Sequence, residues 1–429
     1  MPPEPDILII GAGAAGLLAA RDLARAGRYV HLLEAHDRIG GRVYTHQPAN
    51  FTHPIEAGAE FLHGDVPLTR ALLIEAGIPW RTTPGHTYQV QNGEIQQDNE
   101  FFAQLPLLLQ KLNTLPHDLP LADFLTQEFP GDQYSTLRQS ATQFAEGYDA
   151  ADPHRASAWA LREEWATDGA DDAPRPVKGH GPLLQHLADQ AQDAGCEIYL
   201  STPVQEIRWQ SGAAQVITTT GHTHSARQVL CTASLGVWQR ADHLPGALRW
   251  VPELPAHRAA AAQLGFGAVI KIVLEFHRPI WHERFPDLEF LLSDAPVPTW
   301  WRGGNANQLT GWLAGPAAQR LVEASEQEIL ALAIKSLATL LALSPATIYP
   351  NLRASYVRIW GAEPYIYGAY SYATVGAPAA RAALATPVAD TLFFAGEGLY
   401  NGPAGGTVEA ALTTGQAAAR AMGATEAID

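Results

Sequence analysis

Near the N terminus, Gly11-Ala12-Gly13-Ala14-Ala15-Gly16 comes directly after the short run Asp6-Ile7-Leu8-Ile9-Ile10. Strand, tight turn and helix in that order bring free helix N–H groups to a place where a phosphate can meet them. Gly11 permits the turn, Gly13 lets a pyrophosphate approach the backbone, and Gly16 lets the helix that opens at Ala14 and Ala15 pack closely on the strand. A second strand, Tyr29-Val30-His31-Leu32-Leu33, ends in Glu34, at the spacing where an acid accepts a ribose hydroxyl. These residues predict dinucleotide binding without separating FAD from NAD, because both use this turn and both offer a ribose. Lys271 is a second group capable of chemistry, the one ammonium in the apolar run from Gly267 to Phe276. Unpaired burial disfavours its charged form. Taken alone, the residues set it on the solvent side of a half-buried strand.

Two segments downstream of Glu34-Ala35 narrow the choice of cofactor. Arg38-Ile39-Gly40-Gly41-Arg42 comes first, then Glu56-Ala57-Gly58-Ala59-Glu60-Phe61-Leu62-His63-Gly64. With these segments the chain resembles the flavin-containing amine oxidases, which include monoamine oxidases, polyamine oxidases, L-amino-acid oxidases and histone lysine demethylases. The resemblance covers nearly the whole chain, its landmarks occurring in the family's order. It implies noncovalent FAD, with Glu34, Ala35, Arg38, Gly41 and Arg42 along the ribose and pyrophosphate. Gly58, Ala59 and Glu60 would pass beside the flavin ring, and the backbone of Val204 would meet adenine. The resemblance also reverses the placement of Lys271, since the family's lysine on this strand holds a water at the reactive flavin nitrogen.

Toward the C terminus, Trp360-Gly361-Ala362-Glu363-Pro364-Tyr365 leads into Gly368-Ala369-Tyr370-Ser371, similar to the family segment that carries an aromatic over the flavin. Tyr370 would form one wall of a cage that directs the amine nitrogen between aromatic faces. Ala369 stands where monoamine oxidases carry the cysteine bonded to the flavin. In the last block, Phe393-Phe394-Ala395-Gly396-Glu397 and Gly405-Gly406-Thr407-Val408-Glu409-Ala410-Ala411 would serve the ribityl and flavin carbonyl side. Thr407 replaces the second cage tyrosine, leaving one aromatic wall, one small hydroxyl and more room. His63 aligns with a position that is His or an acid among polyamine oxidases, where it would orient a second amine or make an ordinary hydrogen bond. Gly58 to Gly64 lacks the arginine with which amino-acid oxidases hold a carboxylate.

Length and pattern set the scaffold expected around these groups. At 429 residues, 47% apolar and 17% charged, the chain has the balance of two or three packed domains. The expected class is α/β: a Rossmann-like FAD-binding domain from 1–64, 178–234 and 356–429, and a substrate domain of mixed sheet plus helices from the insertions 65–177 and 235–355. Gly181 to Ala194, Phe101 to Leu112, Tyr134 to Tyr148, Ser325 to Leu343 and Thr407 to Met422 read as helices. Glu197 to Leu200, Val204 to Trp209, Val216 to Thr220 and Gln228 to Thr232 read as strands. A tryptophan-rich segment, Trp300, Trp301 and Trp312, lies in the second insertion.

A net charge of −16 argues against nucleic-acid binding and suits a cationic ligand, although it also serves plain solubility. The acids Glu163, Glu164, Asp168, Asp171 and Asp172 read as a solvated loop. Cys196 and Cys231, the two cysteines, imply neither a disulfide framework nor a metal cluster. With neither a signal segment, a membrane span nor a terminal anchor expected, the expected location is cytoplasmic. The expected reaction is hydride transfer from a polyamine, or another primary or secondary amine, to flavin, the imine being hydrolysed to aldehyde or ketone and oxygen reduced to hydrogen peroxide. Two alternatives stay open: an FAD-dependent desaturase or oxidase of a polyene or porphyrin precursor, and a noncatalytic FAD-containing binding protein.

Overall fold

A computed structural model describes residues 4–91, 93–96, 100–167 and 174–423. Its first sheet is five-stranded and wholly parallel, in the order Leu392–Phe394, Gln228–Cys231, Ile7–Ile10, Val30–Leu33, Glu197–Tyr199. Side chains alternate across the pleat. Ile7 and Ile9 therefore enter a core with the helices Ala14–Arg25, Gly181–Asp193 and Val408–Ala421, while Leu8 and Ile10 enter a separate core on the other face. That second face is covered by a smaller sheet, Thr223–Ala226, Ala213–Thr218, Val204–Gln210 and Arg249–Val251. This is the Rossmann-like arrangement, with the ligand crevice at the carboxyl ends of the parallel strands.

The second large sheet is mixed. Its order is Leu352–Ile359, Val269–Phe276, Gln308–Ala314, Thr299–Arg302, Leu288–Ser293, His86–Gln91, Glu94–Gln96, antiparallel except where Leu288–Ser293 pairs with His86–Gln91. Helix Glu326–Leu341, started by a capping box between Ser325 and Glu328, packs on one face. Toward it point Ile270, Ile272, Leu274 and Phe276. Period two sends Lys271 and Glu275 to the opposite face, which is also covered, so all eight residues of this strand are buried. The solvent-side placement of Lys271 is thereby ruled out.

The apolar run from Gly267 does not form one continuous strand. Gly265–Phe266 pairs with Ser371–Tyr372, Gly267 N–H donates to Tyr370 O at 2.8 Å, and Ala369 N–H donates to Gly267 O at 2.7 Å. The ladder through Lys271 begins only at Val269. Backbone pairing thus brings Tyr370 beside the start of Lys271's strand. A fourth core belongs to the helices Glu100–Asn113, Leu121–Glu128, Ser135–Gly147 and Ala158–Thr167, around Phe124, Phe129, Leu137 and Trp165. Among the described residues no single helix is long and apolar enough to cross a membrane. Both cysteines are buried free thiols.

Candidate active site

One cleft of about 2260 Å³ runs from the end of the parallel sheet to the face of the mixed sheet that carries Lys271. Its lining contains every residue singled out from the sequence as a site residue, except Gly16 and Arg38. A Cβ on Gly16 would meet Gly11 O at 2.0 Å, so this glycine serves the strand–helix contact below the cleft. Arg38 turns inward, donating to Gly41 O at 2.9 Å and Ile39 O at 3.2 Å, with its guanidinium 3.8 Å over the Tyr44 ring. It braces the glycine loop; of the two arginines in this segment, Arg42 is the one that lines the cleft.

The cofactor end meets the demands of a dinucleotide. Gly11 has φ +101°, which an L side chain rarely adopts. At Gly13 an added Cβ would meet nothing within 4 Å, because that direction opens into the cleft. Glu34 is buried, with one oxygen accepting from Ala12 N at 2.6 Å and the other from His36 N at 2.9 Å, which fixes the carboxylate. Ala35 and Val204 lie on the same lining, Val204 beside a bulge in its pairing with Ala213–Thr218. Arg42 pairs with Glu397 and donates to Ala369 O at 2.8 Å; the other Glu397 oxygen accepts from Ser371 Oγ at 2.6 Å. Both carboxylate oxygens of Glu397 are therefore engaged by protein. Trp360 donates to Ala57 O at 3.0 Å, holding the Gly58 segment.

At the far end an aromatic belt closes on itself. Tyr370 lies nearly parallel to Trp312, with centroids 6.4 Å apart. Trp312 is 5.7 Å from Trp301, Trp301 5.4 Å from Phe61, Phe61 5.6 Å from His63 and His63 5.5 Å from Tyr148. The Tyr370 hydroxyl then donates to Tyr148 O, completing the ring of contacts. Trp312, Tyr148 and Phe61 were not legible as site residues. Trp312 shares a sheet face with Lys271 because the two are register partners, and Trp300 points the other way into the core. Thr407 lines the cleft, but its hydroxyl donates to Ala404 O at 2.7 Å and accepts from Ala410 N at 3.2 Å. It caps helix Val408–Ala421, so the small polar wall expected there is committed to backbone. The His63 ring meets the Tyr148 hydroxyl at 3.3 Å.

Lys271, 1% exposed, donates to Glu60 Oε2 at 2.7 Å and to Gly58 O at 3.0 Å. Glu60 also binds Arg175 at 2.6 Å and Trp301 Nε1 at 3.1 Å. Burial would raise the Glu60 carboxyl, but the charges of Lys271 and Arg175 outweigh it and hold the group below the usual carboxylate range. Tyr370 is pushed well above the ordinary phenol value by burial and by the nearby negative charges of Asp149 and Glu164. Glu163 and Glu164 sit on helix Ala158–Thr167 at the cleft lining, so the loop expected there is a helix, although Glu163 itself is exposed to solvent. Asp168, Asp171 and Asp172 lie outside the described residues.

Behind Lys271, burial pushes Glu56 up to about 8 and pulls His180 down to about 4. Glu56 Oε1 accepts from Thr45 at 2.6 Å while Oε2 is sealed from solvent without a partner among the described residues. A carboxyl raised on folding contributes stability that is present at acid pH and lost as pH rises through its folded value. Glu56→Gln should therefore favour the folded state more at about pH 8.5 than at about pH 5, by a few kcal/mol at most. His180 acts with the opposite sign below its unfolded value, but it is present in parent and variant alike and cancels when the two are compared at the same pH. An equal effect at both, in thermal melts, would refute the uncharged Glu56.

Residues 14–423 match the family described as flavin containing amine oxidoreductase. The chain is 29% identical over 425 residues to lysine-specific histone demethylase 1B of Mus musculus, covering 91% of the chain but 50% of that protein, so it spans about half the length of that relative. It is 29% identical over 454 residues to polyamine oxidase 4 of Oryza sativa subsp. japonica, covering 97% of the chain and 88% of the relative. Among solved structures, cyclohexylamine oxidase from Brevibacterium oxydans IH-35A superposes with a TM-score of 0.80 at 22% identity, over 98% of this chain and 99% of that one. Putrescine oxidase bound to putrescine gives 0.79 at 20% identity, over 97% and 98%. At such identities the structural likeness speaks for the fold alone. With the family match spanning almost the whole chain, the protein belongs to the flavin-containing amine oxidoreductase family.

Proposed function

We propose that the protein oxidises a polyamine, or another primary or secondary amine, with noncovalently held FAD. One observation carries this: a single cleft joins a dinucleotide cradle to a closed aromatic belt, with a buried ammonium where they meet. Bound FAD would supply the two-electron acceptor, taking hydride from the carbon beside the nitrogen and passing the electrons to oxygen as hydrogen peroxide. The chain's own residues do the rest. Gly11, Gly13, Ala14 and Ala15 offer backbone to the pyrophosphate, Glu34 accepts from ribose, Val204 meets adenine, and the helix start at Val408 faces the flavin carbonyl side. Glu163, Glu164 and Asp149 on the cleft wall attract a cationic substrate. The belt of Tyr370 and Trp312 is apolar, which favours loss of the ammonium proton, and a neutral amine is the form that releases hydride. Lys271 keeps a hydrogen-bond donor at the flavin, and His63 orients a second polar group. The imine then hydrolyses to an aldehyde or ketone.

The division into a cofactor part, 1–64, 178–234 and 356–429, and a substrate part, 65–177 and 235–355, belongs to this proposal, as does a cytoplasmic location. The purified protein should show a flavin spectrum that bleaches anaerobically with members of an amine panel containing putrescine, spermidine, spermine and aromatic monoamines, and should form peroxide in air. Acid should release the flavin, since Ala369 offers no thiol. Flavin that no amine bleaches would favour a binding protein, and colour retained on the denatured chain would overturn noncovalent attachment.

A further inference from the structure

Lys271 is flanked by two further charges, Glu60 on the cleft lining and Arg175 behind it. Glu60, 8% exposed, is approached from three sides, by Lys271 and Trp301 at Oε2 and by Arg175 at Oε1. Arg175 comes from the distant strand Arg175–Pro176, is buried, also donates to Arg302 O at 3.1 Å, and lies 4.5 Å over the Phe61 ring. It does not line the cleft. An ammonium has three hydrogens to donate. Lys271 gives two to Glu60 and Gly58 O, and it lines the cleft, so one remains for whatever the cleft holds.

Resting on the flavin–amine reading, we propose that Arg175 and Glu60 are positioning residues: Arg175 locks the Glu60 carboxylate, and the locked carboxylate holds Lys271 as an ammonium with one N–H directed into the cleft. A lysine stem has four rotatable carbons and shifts readily to its neutral form when buried without a counter-charge. A carboxylate held by a guanidinium on its far oxygen cannot swing away without breaking that bond, and taking the lysine's proton would forfeit the charge attraction to Arg175. The other charged or titratable groups facing Lys271 do not replace it. Glu56 is uncharged below about 8, His180 is neutral above about 4, and Arg358, across the strand pairing, is held by Glu363 at 2.6 Å.

The chain has four lysines, Lys111, Lys178, Lys271 and Lys335, and the other three are exposed or half-exposed. In the holoprotein labelled with 15N-lysine, Lys271 should give one exchange-protected ammonium signal near neutral pH, because its ammonium is buried and hydrogen-bonded to Glu60 and Gly58 O. Lys271→Met assigns it. Glu60→Gln should abolish that signal near neutral pH. Flavin reoxidation, flat from about pH 6 to about pH 9 in the parent, should then fall about tenfold as pH rises, as for a donor that titrates. Adding Lys271→Met to Glu60→Gln should erase this pH dependence, which a merely structural Glu60 would not predict. Should Glu60→Gln fail to fold, the pair Glu60→Gln with Arg175→Met keeps the local charge balance while freeing Lys271, and it should lose the protected signal. A parent signal and a flat profile retained in Glu60→Gln, or in the paired variant, would overturn the positioning role. If the parent holds flavin that no amine bleaches, the functional reading fails while the ammonium signal still decides the clamp.

Discussion

Lys271→Met is expected to retain FAD and its visible spectrum while slowing turnover with an amine by about a hundredfold, the loss typical of removing one preorganised donor from a reacting centre. Methionine is unbranched and adaptable, so it can fill the space of a side chain that is 1% exposed without opening a large cavity. The change does not strand a carboxylate either. Glu60 keeps Arg175 at 2.6 Å and Trp301 at 3.1 Å, so the buried charge that loses its ammonium still has a counter-ion and a donor. Stopped-flow measurement of the two half-reactions, amine reducing the flavin and oxygen reoxidising it, separates binding from chemistry. Unchanged rates in both would reject a role for Lys271 at the flavin.

The residues of this cleft differ in how far local sequence could reveal them, and the difference has a physical origin. Gly11, Gly13 and Gly16 are readable because a tight turn, a ligand approach and a close strand–helix contact each call for a residue without a side chain. Lys271 stands out as an ammonium in an apolar run, but the residues alone set it on the solvent side, and only the resemblance turns it toward the flavin. Its partner is not readable, since Glu60 lies 211 residues from Lys271 and 115 residues from Arg175, and nothing near any of them marks the pairing. The helices announce themselves by period, so Ser325 to Leu343 became Glu326–Leu341 with Ser325 as cap. Tryptophans on neighbouring strand positions carry no such label. Trp300 and Trp301 face opposite ways by parity alone, and only the sheet register shows that Trp312 shares the face of Lys271. Arg38 shows the reverse failure. It lies within a recognisable segment, yet only the structure shows that its donors meet the carbonyls of Ile39 and Gly41 in its own loop.

Gly13→Val should give a folded protein that purifies without colour. Gly13 has φ −78° and ψ −176°, an extended conformation that valine adopts without strain, and its missing Cβ points where the protein has no atom within 4 Å. The fold should therefore lose little, about the 1 kcal/mol of a poorer helix cap. The ligand should not escape so lightly, because the space entered by the valine is the approach of a pyrophosphate to the helix N–H groups. Overpacking of that kind costs about 3 kcal/mol, roughly a 150-fold loss of FAD affinity. Gly16→Ala supplies the contrast. Its Cβ would sit 2.0 Å from Gly11 O, backbone against backbone, so the damage should fall on the melting temperature of the protein without added FAD. Titrating each variant with FAD and melting each without it distinguishes a glycine kept for the cofactor from one kept for the fold. Flavin bound by Gly13→Val with parental affinity would mean that the pyrophosphate does not pass over this turn, and the cofactor end of the cleft would have to be assigned again.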